Sequence, residues 1–259
     1  FRQAAQSAII RNAHMVDCGQ LPDLKRNDND FFFLTRRDGQ SAVDTIVDLC
    51  RRRLPERMGI PADQIQVLSP TRRRSTGTKA LNQALQAALN PPLDGKGERR
   101  FGDWVFRTGD RVMQVKNNYQ LEWEIRGKYG IAVDKGVGVF NGDMGIIEEI
   151  NTFAETLTVV FEENRYVEYS FKQLDELELA YAVTIHKSQG SEYPAVILPL
   201  LGGPRMLMSR NLLYTAVTRA RTCVTIIGSE VTFEEMIRNK QEKERYTSLC
   251  QRIEEMNEQ

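Results

Sequence analysis

The chain has no excess of charge of either sign and no long apolar run. Its 259 residues include 35 basic and 35 acidic side chains, so the net charge is zero. This balance excludes a whole-chain basic bias toward nucleic acid, and any such affinity must come from a local patch. No apolar run reaches the roughly 18 residues of a membrane-spanning helix, and no signal peptide opens the sequence. We therefore expect no membrane partner.

Cysteine is also scarce. Cys18, Cys50, Cys223 and Cys250 lie far apart and form no CxxC pair, which argues against a zinc site and against a disulfide framework. We therefore expect no metal site and a reducing, cytoplasmic location. The sequence begins at Phe1 rather than at Met, from which we expect a longer parent protein.

What is present is an α/β pattern at both ends of the chain with a β pattern between them. Apolar runs typical of buried parallel strands alternate with helical spacings, the strands at 31–34, 65–68, 195–200 and 224–227 and the helices at 42–54, 80–89 and 211–220. The middle of the chain carries short strand-forming runs separated by turn signals, at 110–115, 137–140, 145–150, 157–161 and 166–169. The pattern predicts one α/β domain interrupted by a small inserted β-barrel.

Two stretches of the second α/β part carry residues suited to phosphate chemistry. Residues 181–192, YAVTIHKSQGSE, place hydroxyl, amide and glycine residues at a strand end, where they either contact phosphates or cap a polar loop. Residues 211–221, NLLYTAVTRAR, predict a helix with Arg219 and Arg221 near its end. An arginine at this position either stabilises charge on a γ-phosphate or lies exposed where the helix dipole favours it.

The order and spacing of these stretches narrow the alternatives. Together they resemble motifs V and VI of superfamily 1 helicases, in the variant of the RecD/TraA-like group. The matching residues are TIHKSQGSE, then an apolar strand, then LYTAVTRA. Three further stretches are similar to the same family: FRQ at 1–3, IQVLSPTR at 65–72, and GDRVMQ at 109–114 with VFNGDMG at 139–145. The resemblance therefore covers most of the chain, up to about residue 230.

The resemblance implies a fold and a domain order. It implies a RecA-like (P-loop NTPase-type) parallel sheet with helices on both faces, interrupted by an inserted SH3-like β-barrel. Motor domain 2A would take residues 1–100 and 178–240, and the SH3-like domain 2B would take residues 103–177. The residues after them, 241–259, read as a charged helical tail.

The resemblance also implies a role for each matching residue. Arg2 and Arg219 would reach the γ-phosphate of ATP, and Gly190 and Glu192 would lie near the nucleotide. Contacts to the DNA strand are implied at five positions: Thr184, His186, Thr71, Thr78 and Asn82. Lys187 and Gln189 match the motif, but the sequence does not say which way they face.

The function implied is the C-terminal motor portion of an ATP-dependent 5′–3′ DNA helicase, with single-stranded DNA as its partner. The sequence contains no GxxxxGK[ST] motif and no evident Walker B acidic pair. The ATP site would be completed by an upstream RecA-like domain, with ATP and Mg²⁺ bound in the full-length parent. We expect the chain alone to bind neither and to be inactive. Whether the parent joins the subunits of a nuclease complex stays open.

Two non-enzymatic interpretations stay open beside this one. The arginine clusters 51–53 and 72–74, with the inserted β domain, fit a single-stranded DNA-binding module, and the barrel alone fits a protein-interaction module. His186 has no neighbouring carboxylate to orient it, which favours a stacking or phosphate contact over catalysis. Trp104, Trp123 and the tyrosines of the insert are predicted to be core rather than base-stacking platforms.

Overall fold

A five-stranded parallel sheet forms the centre of the α/β part. The computed structural model describes residues 7–25, 30–127 and 130–240. Its parallel strands are Phe31–Thr35 (β1), Ile65–Ser69 (β2), Ala182–Thr184 (β12), Tyr193–Leu200 (β13) and Ala220–Gly228 (β14). They lie in the order β1, β14, β13, β2, β12, and every pairing is parallel. The predicted parallel sheet is confirmed.

Helices cover both faces of this sheet. Those of the described residues are Ala8–Asp17 (α1), Gly39–Asp48 (α2), Leu54–Met58 (α3), Thr78–Leu89 (α4), Arg210–Val217 (α5) and Glu230–Arg238 (α6). Side chains alternate along β13, so Ile197 packs in one core with α2 and α4, while Val196 and Leu198 pack in another with α1, α5 and α6. The strand is buried throughout Ala195–Leu200 for this reason, as its continuous apolar run predicts.

The inserted part is antiparallel. A hairpin of Glu98–Phe101 (β3) and Trp104–Arg107 (β4) comes first. A seven-stranded sheet follows, made of Arg111–Gln114 (β5), Asn118–Arg126 (β6), Ala132–Val139 (β7), Met144–Asn151 (β8), Thr156–Phe161 (β9), Arg165–Ser170 (β10) and Leu177–Leu179 (β11). Its order is β11, β5, β8, β9, β10, β6, β7, and no ladder between described residues joins β11 to β7.

Two neighbouring side chains, the buried Asp110 and the half-buried Arg111, fix the start of this sheet to the parallel sheet. The Arg111 guanidinium donates to the Ile65 carbonyl at 2.9 Å and to the Gln66 side-chain oxygen at 2.8 Å. The Asp110 carboxylate accepts hydrogen bonds from four donors: the side chains of Gln86, Asn90 and Tyr181 and the backbone N–H of Arg107. Burial raises the pKa of Asp110 above its usual value although these donors oppose the shift. The two sheets are therefore joined through polar contacts as well as through the chain.

The structure differs from the predicted elements at a few places. The predicted helix over 42–54 is divided into α2, a π-helical turn at Leu49–Arg53 and α3, and the predicted helix over 211–220 already ends at Val217. The predicted strand runs include none of β3, β4, β6, β11 and β12. The predicted tail at 241–259 lies outside the described residues, and the division into domains at 103 and 177 stays a prediction. No helix in the described part of the chain has the length and apolarity needed to cross a membrane.

Candidate functional site

Arg219 lies on the short connection between α5 and β14. The helix begins where the Ser209 side chain accepts a hydrogen bond from the Leu212 N–H at 3.3 Å. It buries Leu213 and Ala216 and ends at Val217. Arg219 is therefore held between a packed helix and a central strand. Arg221, predicted near the helix end, instead lies on β14.

The Arg219 guanidinium is held by neutral oxygens. It donates to the carbonyls of Thr215 at 3.2 Å and Ser191 at 3.0 Å, and to the Thr218 hydroxyl at 3.3 Å. Within the described ranges it forms no ion pair with a carboxylate. Its side chain is half-buried, so the positive charge is fixed in place without being neutralised.

The loop before β13 reaches the same place. The Tyr193 N–H donates to the Arg219 carbonyl at 2.8 Å, so the start of β13 is tied to the residue that precedes β14. Gly190 is exposed, has a φ of +89° and has open space where a side chain would stand. Glu192 is exposed and pairs with Arg221 at 2.9 Å. The structure thus brings Gly190, Glu192 and Arg219 together at the amino ends of β13 and β14.

A cleft of about 380 Å³ lies between the parallel sheet and the inserted part. Three of the residues predicted to contact DNA line it: Thr78, Asn82 and Thr184. Four basic side chains and two acidic ones line it as well: Arg72, Arg73, Lys79, Lys187, Glu178 and Asp103. Trp104 of the hairpin completes one wall. The cleft opens at the carboxyl ends of β2 and β12, the end of the sheet opposite to Arg219.

Carboxylates pair with three of the four cations of the cleft. Glu178 of β11 accepts a hydrogen bond from the Arg72 guanidinium and lies 3.8 Å from the Lys187 ammonium. Burial lowers the pKa of Lys187 below its usual value, and the Glu178 carboxylate opposes that shift. At the rim, Lys79 pairs with Asp103 at 2.5 Å, and this hydrogen bond lowers the pKa of Asp103.

Two of the residues predicted to contact DNA, Asn82 and Thr71, form hydrogen bonds inside the protein. Asn82 is 2% exposed, and its amide donates to the carbonyls of Leu179 and Ala182 at 2.8 and 2.9 Å and accepts from the Ala182 N–H at 2.7 Å. Thr71 is buried, and its hydroxyl donates to the Arg73 carbonyl at 3.0 Å. Both side chains therefore brace the protein, because each uses its donors on backbone carbonyls, and the DNA contacts at these two positions stay predictions.

The remaining predicted residues are His186, Arg2 and the aromatic side chains of the insert. His186 is exposed on the turn after β12 and does not line the cleft. Arg2 lies outside the described residues. The core prediction for the aromatic residues holds for Tyr169, which is buried, but is wrong for Tyr119, which is 68% exposed. Trp104 is half-buried and lines the cleft instead.

The two arginine clusters have different surroundings. Arg72 and Arg73 line the cleft, whereas Arg52 and Arg53 pair with Asp48 on the preceding turn at 3.0 and 2.5 Å. Sequence reasoning did not assign Lys79 or Lys187 to this surface. Lys79 follows Thr78 at the start of α4, and a lysine at a helix start beside a predicted phosphate contact is the signal that would have found it.

Two family models match the chain. Residues 81–161 match a model described as the ATP-dependent RecD-like DNA helicase SH3 domain, and residues 179–227 match a model described as the UvrD-like helicase C-terminal domain. The first covers most of the inserted sheet. The second covers the stretch from β11 to β14, including the Gly190 loop and Arg219.

Relatives and solved structures agree with these matches. The chain is 33% identical over 256 residues to the ATP-dependent RecD2 DNA helicase of Deinococcus radiodurans, covering 98% of this chain and 31% of that protein. It is 28% identical to the RecBCD enzyme subunit RecD of Mycolicibacterium smegmatis, covering 74% of this chain and 29% of the relative. The fold is similar to a Pif1 helicase from Bacteroides crystallised with ADP-AlF3 and ssDNA, with a TM-score of 0.52 at 16% identity, over 100% of this chain and 55% of that one. The chain thus spans less than a third of the length of these two curated relatives.

Proposed function

We propose that the chain is the second motor domain of an ATP-dependent DNA helicase that moves 5′ to 3′ on single-stranded DNA. The chain belongs to the RecD-like helicases of superfamily 1 and corresponds to their C-terminal part. A first RecA-like domain, upstream in the same protein, supplies the phosphate-binding loop and the Mg²⁺ site that the sequence lacks. The chain alone therefore hydrolyses no ATP. In the full-length protein, ATP lies between the two domains.

The observation that carries this proposal is the setting of Arg219. Phosphoryl transfer is accelerated mainly by positioned positive charge, and an arginine from the opposite side of a nucleotide cleft supplies it. Among the described residues, the Arg219 guanidinium is fixed by neutral oxygens, so its charge is available to a γ-phosphate. The exposed Gly190 beside it leaves room for close approach of a nucleotide. Arg2 is proposed as a second phosphate contact on the family resemblance alone.

The DNA strand occupies the cleft in this proposal. Four cations against two carboxylates give its lining a positive balance, although the whole chain has none. The hydroxyls of Thr78 and Thr184 lie where they can donate to phosphate oxygens, and Lys187 adds charge. The loop 185–192 leads from this cleft to the Gly190 edge. A single short segment therefore links the DNA site with the nucleotide site.

The test is ATP hydrolysis by the full-length protein. Arg219→Ala should lower single-stranded-DNA-stimulated ATPase by about 10³-fold, while DNA binding measured without nucleotide stays within twofold of wild type. Arg238→Ala is the control, since the Arg238 side chain is exposed on α6 and pairs with Glu234; its ATPase should stay near wild type.

The same experiment separates the alternative functions. Unchanged turnover in Arg219→Ala would remove the arginine-finger role. A full-length protein that binds single-stranded DNA but hydrolyses no ATP would favour a DNA-binding module instead.

A further inference from the structure

Glu178 differs from the other acidic residue of the cleft. It lies on β11, the strand through which the chain returns from the inserted sheet to the parallel sheet. Its carboxylate contacts two cations from different segments, Arg72 before α4 and Lys187 after β12. The Glu178 and Lys187 side chains are only 31% and 25% exposed, whereas Asp103 at the rim is 73% exposed. Glu178 is therefore the more shielded anion.

A carboxylate in this position binds the N–H donors of Arg72 and Lys187 that a phosphate would also bind. Arginine and lysine bind carboxylate and phosphate oxygens through the same N–H donors. The Glu178–Lys187 pair is partly buried, although Arg72 is 61% exposed. It is therefore less screened by solvent and salt than the exposed Lys79–Asp103 pair, so the competition from Glu178 exceeds that from Asp103. The lowered pKa of Lys187 agrees with this placement, because the ammonium is partly removed from water.

We propose that Glu178 is an internal competitor for the DNA backbone, which holds Arg72 and Lys187 until phosphates replace its carboxylate. The inference rests on the proposed role of the cleft in binding single-stranded DNA. Each phosphate gained then costs one internal ion pair, which weakens binding and speeds release of the strand. Faster release suits a motor that must repeatedly release and rebind single-stranded DNA.

The test is binding of fluorescein-labelled oligo(dT) to the full-length protein without nucleotide, measured by fluorescence anisotropy at low salt. Glu178→Gln should lower the Kd about fivefold, since it removes the competing charge and keeps the side-chain shape. Asp103→Asn should lower it by less than twofold. Asp175→Asn is the matched control outside the cleft, because Asp175 pairs with Lys116 and neither lines the cleft; its Kd should not change.

A double-mutant cycle identifies the source of the gain. Arg72→Gln should weaken binding more in the Glu178→Gln background than in wild type, because in wild type the contact of Arg72 with phosphate first costs its ion pair with Glu178. Thermal melting checks that each variant folds, and Glu178→Ala serves if Glu178→Gln does not. Unchanged or weaker binding by folded variants at position 178 would overturn the inference. Wild-type protein that binds no oligo(dT) would overturn the proposed DNA site itself, and the inference with it.

Discussion

The two ends of the parallel sheet hold their cations in different ways. At the amino ends of β13 and β14, Arg219 rests on two carbonyls and a hydroxyl. At the carboxyl ends of β2 and β12, Arg72 and Lys187 rest on a carboxylate. The neutral oxygens around Arg219 leave its full charge available to an incoming phosphate. The Glu178 carboxylate, in contrast, must be displaced before a phosphate can bind Arg72 or Lys187. The difference suits a nucleotide site that needs fixed charge and a DNA site that needs reversible grip.

The largest effect on stability is expected at Asn82, which braces the wall of the cleft. Asn82→Ala should lower the free energy of unfolding by about 2–3 kcal/mol, because the carbonyls of Leu179 and Ala182 and the Ala182 N–H lose their buried partner. Urea unfolding measures the change. Gln83→Ala, the exposed neighbour on α4, is the control and should have little effect. A stable Asn82→Ala protein with weakened DNA binding would restore the direct contact predicted from the sequence.

A smaller effect is expected at Lys187, and it concerns affinity. Lys187→Gln should raise the Kd for oligo(dT) about fivefold at low salt and reduce the salt slope of log K by about 0.7, the value for one phosphate of a single strand. A salt titration measures both. Lys116→Gln, outside the cleft, should leave Kd and slope unchanged. An equal loss in the two variants would mean that general surface charge, rather than the cleft, binds DNA.

The smallest effect is expected at Gly190. Gly190→Ala should lower the free energy of unfolding by about 1 kcal/mol, because a φ of +89° strains any residue with a β-carbon while the site has open space. Gly142→Ala is the matched control, with a φ of +107° and equally open space on a turn of the inserted sheet. Both variants should lose similar stability, but only Gly190→Ala should also slow ATP hydrolysis by the full-length protein. Equal ATPase in the two would remove Gly190 from the nucleotide site.

The parallel sheet could be predicted because its strands are covered on both faces. In a chain of this composition, an apolar run as short as Ala195–Leu200 and bounded by turn residues is typical of a buried parallel strand. Strand β6 was missed although Leu121, Trp123 and Ile125 alternate with charged residues along it, a pattern that itself indicates a half-buried strand. The hairpin β3–β4 was missed because its glycines and charges indicate a loop, whereas Gly102 serves as its turn with a φ of +56°.

The candidate site was predictable where its residues are close in sequence or share a motif. Gly190, Glu192 and Arg219 meet because β13 and β14 are adjacent, which the order of the motifs implies. The contact of Glu178 with Arg72 was not predictable, since it depends on how the inserted sheet returns to the parallel one. The internal hydrogen bonds of Asn82 were not predictable, because sequence gives residue type and spacing but not the direction of a buried amide, and its DNA contact stays a prediction. The proposed contact of Arg2 stays a prediction.

The two ends of the sheet are proposed to serve different phosphates, those of the nucleotide at one end and those of DNA at the other. Two affinities of the full-length protein test this division: that for ADP with aluminium fluoride in the absence of DNA, and that for oligo(dT) in the absence of nucleotide. Arg219→Ala should weaken only the first, and Lys187→Gln only the second. A matching loss of both affinities in both variants would contradict the division.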